Sequence, residues 1–177
     1  ITRLNNNRWA VVLGNGYNSD NQRPVLFVQY LDGDKKLLRI PVTSDAQGSG
    51  LAQDNGLAAP SLVDVNGDGK PDVVYAGDNQ GNLWKCDMTD VDDAQWKVAF
   101  SGAPLFTATG PASLGSARSL KQPIVAPPIV RPNDRLKTVG SGTSQTAVRV
   151  GGMMVAFGTG RNVAKDDQKS NAVQTLY

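Results

Sequence analysis

Short apolar segments, each bounded by glycine, proline, asparagine or aspartate, recur along the whole chain. The clearest are residues 9–14, 25–30 and 153–158, which are rich in the β-branched and aromatic residues that strands favour. No segment keeps the 3.6-residue period of an amphipathic helix over any length. Residues 133–146 are mainly polar, and we expect them to form a mobile excursion from the strands. The sequence therefore predicts an all-β fold of short antiparallel strands.

One pattern occurs three times: an apolar strand ends in glycine and is followed by a polar turn. The glycines are Gly14, Gly77 and Gly158, spaced more widely than the ~40–45 residues of a WD-type blade. We interpret the units as blades of a modified β-propeller with long inserted loops, since blades are built from short antiparallel strands. A β-sandwich whose strands resemble one another by chance is the alternative.

The length of the chain limits how much of a propeller it can form. About two to three blades cannot close a ring of the usual four to eight. We therefore expect residues 1–177 to be a partial β-propeller domain that the remainder of a parent chain completes. The first residue is Ile1 and not an initiator methionine, which also suits a fragment or a processed product.

Residues 64–72 read Asp-Val-Asn-Gly-Asp-Gly-Lys-Pro-Asp and carry side-chain oxygens at positions one, three, five and nine. Calcium takes six to eight oxygen ligands, and a loop with this alternation can wrap them around one point. Gly69, at position six, suits the sharp turn that such loops need. The predicted ligands of a Ca²⁺ ion are Asp64, Asn66, Asp68, the carbonyl of Lys70, and Asp72.

The loop differs from an EF-hand at its far end. Position twelve is Tyr75 and not the usual bidentate glutamate, and residues 72–76 read as a strand where an EF-hand would begin a helix. Asp72 would therefore have to act as the bidentate ligand. The alternative is an ordinary hairpin turn, because Asp, Asn and Gly favour turns in any case.

The composition excludes several kinds of site. Histidine is absent and Cys86 is the single cysteine, which excludes Ser-His-Asp and Cys-His nucleophiles and histidine or multi-thiolate zinc sites within this sequence. The formal net charge is +2 without a long basic run, which gives no support for a nucleic-acid or membrane-surface partner. No apolar run approaches the ~18 residues of a membrane span.

Residues 59–72 and 75–85, the latter reading Tyr-Ala-Gly-Asp-Asn-Gln-Gly-Asn-Leu-Trp-Lys, together resemble the PilY family. These are type IV pilus biogenesis factors and tip adhesins of the PilY/PilC type. Residues 9–19 resemble the family's blade before the calcium loop, and residues 155–161 resemble the blade after it. The resemblance covers nearly the whole chain in the correct order.

The resemblance implies a modified β-propeller, similar in fold to quinoprotein dehydrogenases, with calcium in the loop at 64–72. It implies a non-enzymatic role in controlling pilus extension against retraction, in twitching motility and in surface attachment. The implied location is the cell surface, at the pilus tip or outer membrane, after export through the periplasm. The implied partners are other type IV pilus proteins such as minor pilins, and a host or abiotic surface.

Two other functions fit part of the pattern. A quinone-dependent dehydrogenase would use the same fold, since fold does not determine function, but the spacing of Asp64 and Asp72 suits a metal better than a catalytic base. A generic extracellular adhesion repeat stiffened by calcium would need no pilus. Trp9, Trp84 and Trp96 are expected to be packing residues. Cys86 is expected to be a packed thiol or an exposed bystander, and not a nucleophile.

Overall fold

The structure is a computed structural model that describes residues 1–17, 19–42, 54–117 and 121–177. Within these ranges the secondary structure consists of short strands and a few short 3-10 helices, so the prediction of an all-β fold is confirmed. The 3-10 helices are Asp93–Gln95, Phe100–Gly102, Ala112–Ala117, Gly142–Ser144 and Lys165–Lys169. None of the described helices is long and apolar enough to cross a membrane.

Two antiparallel sheets account for the first nine strands. The first sheet has the order β1 (Thr2–Arg3), β2 (Trp9–Gly14), β3 (Val25–Tyr30) and β4 (Leu37–Pro41). The second has the order β5 (Ser61–Val63), β6 (Val73–Gly77), β7 (Asn82–Asp87) and β8 (Lys97–Val98), with β9 (Phe106–Thr107) also paired to β7. Apart from β9, the strands of each sheet follow one another in sequence order, as in a propeller blade.

A third unit begins with β10 (Ile129–Pro132), which pairs with β13 (Met153–Ala156). Residues 175–177 then run alongside residues 157–159, and Phe157 and Tyr177 exchange backbone hydrogen bonds of 3.0 and 2.9 Å. Between β10 and β13 the chain forms a hairpin of β11 (Leu136–Val139) and β12 (Thr146–Arg149). The polar excursion expected at 133–146 therefore contains two paired strands, which the sequence analysis did not predict.

The three repeats seen in the sequence also share their strand pairing, because each repeat glycine pairs with a leucine of the next segment. Gly14 pairs with Leu26, Gly77 with Leu83, and Gly158 forms a bridge with Leu176. The loop at 64–72 and the β11–β12 hairpin therefore occupy equivalent positions, because each connects the first two strands of its unit. The three units are repeats of one supersecondary structure.

Apolar side chains of neighbouring units pack together. One buried cluster combines residues of the first and second sheets, and a smaller one joins the second sheet to the third unit. Members of the first cluster include Leu26, Val28, Tyr30, Val74, Trp84, Cys86 and Trp96. The second consists of Leu83, Ala108, Ile124 and Phe157, with Val155 and Tyr177 packed against it. Of the tryptophans, Trp84 and Trp96 are buried as expected, whereas Trp9 is half exposed.

The repeat glycines differ in what surrounds them. A Cβ added to Gly77 would overlap the side chain and carbonyl of Ile124, and one added to Gly14 would overlap the carbonyls of Leu57 and Ala58. No heavy atom of the described residues lies within 4 Å of the equivalent point at Gly158. Glycine is therefore required at positions 14 and 77, because a connecting segment packs directly against the backbone there.

We expect Gly77→Ala to destabilise the fold by about 1–3 kcal/mol, because overpacking forces backbone and side chains to shift. The matched control is Gly158→Ala, which has space for the methyl group and should change stability by less than about 1 kcal/mol. Denaturant unfolding of both variants measures the difference. Equal stability of the two variants would show that the segment containing Ile124 does not pack tightly against Gly77.

Candidate metal centre

The loop at residues 64–72 is the connection of the β5–β6 hairpin. Val63 pairs with Val73, and the backbone N–H of Asp72 donates to the carbonyl of Val63 at 2.9 Å. This antiparallel pairing brings the two ends of the loop together. Gly67 and Gly69 have φ values of 82° and 84°, a left-handed conformation that glycine adopts at little steric cost.

The side-chain oxygens in the first half of the loop accept backbone hydrogen bonds from residues further along it. Asp64 Oδ1 accepts from the N–H of Gly67 and Asp64 Oδ2 from that of Gly69, both at 2.7 Å. Asn66 Oδ1 accepts from Asp68 N–H at 2.9 Å. The Gly69 amide is the main reason that the pKa of Asp64 lies below its usual value, so this carboxylate stays ionised.

Asp72 holds the far end of the loop against its beginning. Its side chain is buried, with 4% of the residue exposed. Oδ2 accepts from the backbone N–H groups of Val65 at 2.8 Å and Asn66 at 3.3 Å, and Oδ1 accepts from Asn66 Nδ2 at 3.5 Å. The structure therefore brings Asn66 and Asp72, positions three and nine of the predicted site, into direct contact.

The other predicted ligands do not converge in the same way. Asp68 Oδ1 accepts from the Lys70 N–H at 2.9 Å, and Asp68 Oδ2 lies 3.6 Å from the Lys70 ammonium. No three Asp, Glu, His or Cys side chains of the described residues form a group that could hold a metal ion. The loop is thus closed by its own hydrogen bonds, and not by three carboxylates around one point.

The donor chemistry of the loop still fits a hard cation. An ionised carboxylate has about four acceptor positions, and Asp64 uses two of them for the amides of Gly67 and Gly69. The remaining positions on Asp64, Asn66 and Asp68 lie on an exposed loop. Oxygen donors of this type suit Ca²⁺ better than they suit zinc or copper.

Asn5, in the β1–β2 connection, ties the loop to the first sheet. Its Nδ2 group lies 2.9 Å from the Met88 carbonyl, 3.2 Å from the Pro71 carbonyl and 3.2 Å from Asp72 Oδ1. Asn5 is 8% exposed. Sequence reasoning missed this residue, because an Asn-Asn-Asn run gives no sign of a contact 67 residues away.

We expect Asn5→Ala to destabilise the fold by about 1–3 kcal/mol, because the buried acceptors on Pro71 and Met88 lose their shared donor. Denaturant unfolding measures the change, with exposed Asn171→Ala as the control. If calcium binds the loop, Asn5→Ala should also weaken calcium binding, since Asp72 loses one of the groups that orient it. A variant as stable as the control would contradict a role for Asn5 in holding the loop.

Asp78 is buried like Asp72, but sequence reasoning missed it. It is completely buried in the β6–β7 turn. Oδ1 accepts from the backbone N–H groups of Gln80 at 2.9 Å and Asn82 at 2.8 Å. Oδ2 accepts from Trp84 Nε1 at 2.9 Å, Asn82 Nδ2 at 3.0 Å and Asn55 Nδ2 at 3.4 Å. The carboxylate organises the turn and orients the buried tryptophan.

Cys86 is packed within the core and does not have the environment of a nucleophile. It is 2% exposed, and burial raises the pKa of its thiol to about 12. A reactive cysteine needs an accessible thiolate. Of the two alternatives for Cys86, the packed thiol is therefore correct and the exposed bystander is wrong.

Comparison with known proteins identifies the family. The family model of the PilY1 beta-propeller domain matches residues 1–177. The chain is 34% identical over 199 residues to the type IV pilus biogenesis factor PilY1 of Pseudomonas aeruginosa strain UCBPP-PA14, covering 100% of this chain and 15% of that protein. It is 34% identical over 189 residues to a PilY1 homolog of Xylella fastidiosa strain Temecula1, covering 100% of this chain and 11% of that protein.

A solved structure shows the same fold. The crystal structure of the Pseudomonas aeruginosa PilY1 C-terminal domain matches with a TM-score of 0.70 and 31% identity, over 99% of this chain and 34% of that chain. The prediction that the chain forms part of a β-propeller is therefore confirmed, and the alternative of a β-sandwich is wrong. The chain spans about 15% or less of the length of the curated relatives described above. It belongs to the PilY1 β-propeller domain family.

Proposed function

We propose that this chain is a calcium-binding, non-enzymatic part of a type IV pilus biogenesis factor. The observation that carries the calcium proposal is the arrangement of the loop at 64–72. Side-chain oxygens on alternate residues are fixed by backbone amides, and Asp72 is anchored to the first sheet through Asn5. The names of the relatives, all type IV pilus biogenesis factors, support the pilus role.

Asp64, Asn66, Asp68, the Lys70 carbonyl and Asp72 would hold the ion. A divalent cation would offset the repulsion between three carboxylates within nine residues, which reduces the electrostatic strain of closing the loop. Sites in extracellular modules bind calcium at about 10⁻⁴–10⁻³ M. A site of this strength would be filled outside the cell, so the ion would act as part of the fold.

The proposed location is the cell surface, at the pilus tip or outer membrane, reached through the periplasm. The proposed partners are minor pilins and a host or abiotic surface, and the proposed activity is control of pilus extension and retraction. The remainder of the parent chain would complete the propeller. One connecting segment packs against Gly14 and another against Gly77, whereas no described heavy atom lies within 4 Å of the equivalent point at Gly158. This open position supports the proposal that a further segment of the parent chain packs there.

Twitching motility tests the proposal in the organism. The Asp64→Ala/Asp72→Ala substitutions would be placed in the chromosomal gene, with exposed Asp134→Ala as the control. The amount of exported protein is measured in each strain, because loss of the ion and of Asp72 should also lower stability. At matched amounts of exported protein we expect the double variant to give a reduced twitching zone and the control to twitch normally. Normal twitching by the double variant would contradict a calcium-dependent role in pilus function.

A further inference from the structure

A polar cavity lies at the end of the sheets opposite the loop at 64–72. It has a volume of about 420 Å³ and is formed by the β6–β7 turn, the segment around Pro123 and residues of the third unit. The described residues that give it its chemistry are Asp54, Asn79, Lys121, Arg161, Asp167 and Gln174. The calcium proposal does not involve any of these residues.

Asn79 is the unusual member of this lining. It is 4% exposed, and within the described part of the chain neither its side-chain Nδ2 nor its Oδ1 has a hydrogen-bond partner. Its backbone N–H is satisfied by Asn55 Oδ1 at 3.1 Å, so the turn does not need the side chain. A buried carboxamide without partners costs about 1–3 kcal/mol. A molecule that occupies the cavity and supplies both a donor and an acceptor would satisfy both atoms of this group.

The charged groups of the lining largely neutralise one another. Arg161 donates to Asp167 from Nε at 3.1 Å and from Nη2 at 2.9 Å, and its Nη1 donates to Asp54. Asp167 is fixed further by the backbone N–H groups of Val163 and Ala164. With Lys121 the lining holds two cations and two carboxylates. It therefore has no net charge with which to select an anion or a cation.

The chemistry of Asn79 points to a peptide as the occupant. An extended chain presents the N–H and the C=O of one residue on the same side, as in a hydrogen-bonded pair of an antiparallel ladder. One carboxamide offers a donor and an acceptor that can bond to both. None of the described lining residues is aromatic, so a sugar ring would find no flat apolar face to pack on. We propose that this cavity binds an extended, uncharged peptide segment whose backbone pairs with the Asn79 side chain.

The segment could belong to another protein or to the parent chain outside residues 1–177. The probe is the blocked tripeptide acetyl-Gly-Ala-Gly-amide, added to this chain and to the intact parent protein. Binding is followed by the NMR shift of the Asn79 side-chain NH₂ group and, in every variant, by the shifts of the backbone N–H groups of Gly160 and Arg161, which line the cavity. Binding of the probe on the order of 0.1–1 mM is expected for a ligand of this size. We expect Asn79→Ala to keep its fold and to weaken binding at least tenfold, and Asn171→Ala to bind normally.

The two proteins distinguish the source of the segment. Binding by both supports a segment from another protein. Binding by this chain alone, with an Asn79 NH₂ group protected from exchange in the parent, supports an internal segment. The proposal is overturned if the probe fails to shift Asn79 in either protein and the NH₂ group is unprotected. Binding of methyl glucoside but not of the peptide, or equal binding by Asn79→Ala, also overturns it.

Discussion

We expect Asp78→Asn to destabilise the fold by roughly 2–5 kcal/mol. At least two buried donors would face the new NH₂ group and lose their acceptor, and each unsatisfied donor costs about 1–3 kcal/mol. The wild-type carboxylate accepts five hydrogen bonds, including one from Trp84 Nε1. An amide can accept at only one of its two heavy atoms. Urea unfolding, followed by tryptophan fluorescence, measures the change.

The matched control is Asp92→Asn. Asp92 is exposed and accepts one backbone N–H, from Ala94 at 3.0 Å, as the N-cap of a 3-10 helix. Asparagine caps helices about as well as aspartate does, so this variant should differ from wild type by less than about 0.5 kcal/mol. Equal destabilisation by the two substitutions would contradict the conclusion that the hydrogen bonds of Asp78 stabilise the β6–β7 turn.

The second large effect is expected from calcium. At a hundred times the dissociation constant, a ligand that binds only the folded state contributes about 2.7 kcal/mol. For a chain of this length that corresponds to a rise in Tm of roughly 5–10 °C. Thermal melts with excess Ca²⁺ and with chelator should therefore differ by this amount for the wild type.

Asp64→Ala/Asp72→Ala should remove the calcium-dependent rise in Tm, whereas Asp134→Ala, which changes an exposed aspartate outside the loop, should retain it. The double variant should also melt below the wild type in chelator, because Asp72 holds the loop and contacts Asn5 in the absence of metal. A calcium-dependent rise that persists in the double variant would place the ion elsewhere.

The strands and the repeat could be predicted because they depend on local pattern. The predicted segments at 9–14 and 25–30 coincide with β2 and β3, and the repeat glycines each pair with a leucine on the next strand of their unit. The alternation of oxygens in the loop at 64–72 was also visible, since it depends on spacing along one segment. These features need no knowledge of distant contacts.

The remaining features depend on contacts between distant segments. The β11–β12 hairpin is almost wholly exposed, so its strands lack the alternation of apolar residues that marks a half-buried strand. Asn5 matters through Asp72, 67 residues away, and Asn79 through a cavity that also includes Asp167. Nothing in the sequence separates Asp78 from an ordinary turn residue, because only the fold reveals that its carboxylate is buried.

The calcium proposal is tested most directly by calorimetric titration of Ca²⁺ into the chelator-treated chain and into the Asp64→Ala/Asp72→Ala variant. We expect the wild type to bind one equivalent with a dissociation constant at or below about 10⁻³ M, and the variant to bind none. A wild-type chain that binds no Ca²⁺ at millimolar concentration would contradict the account. The loop at 64–72 would then be a hairpin turn held by its own hydrogen bonds.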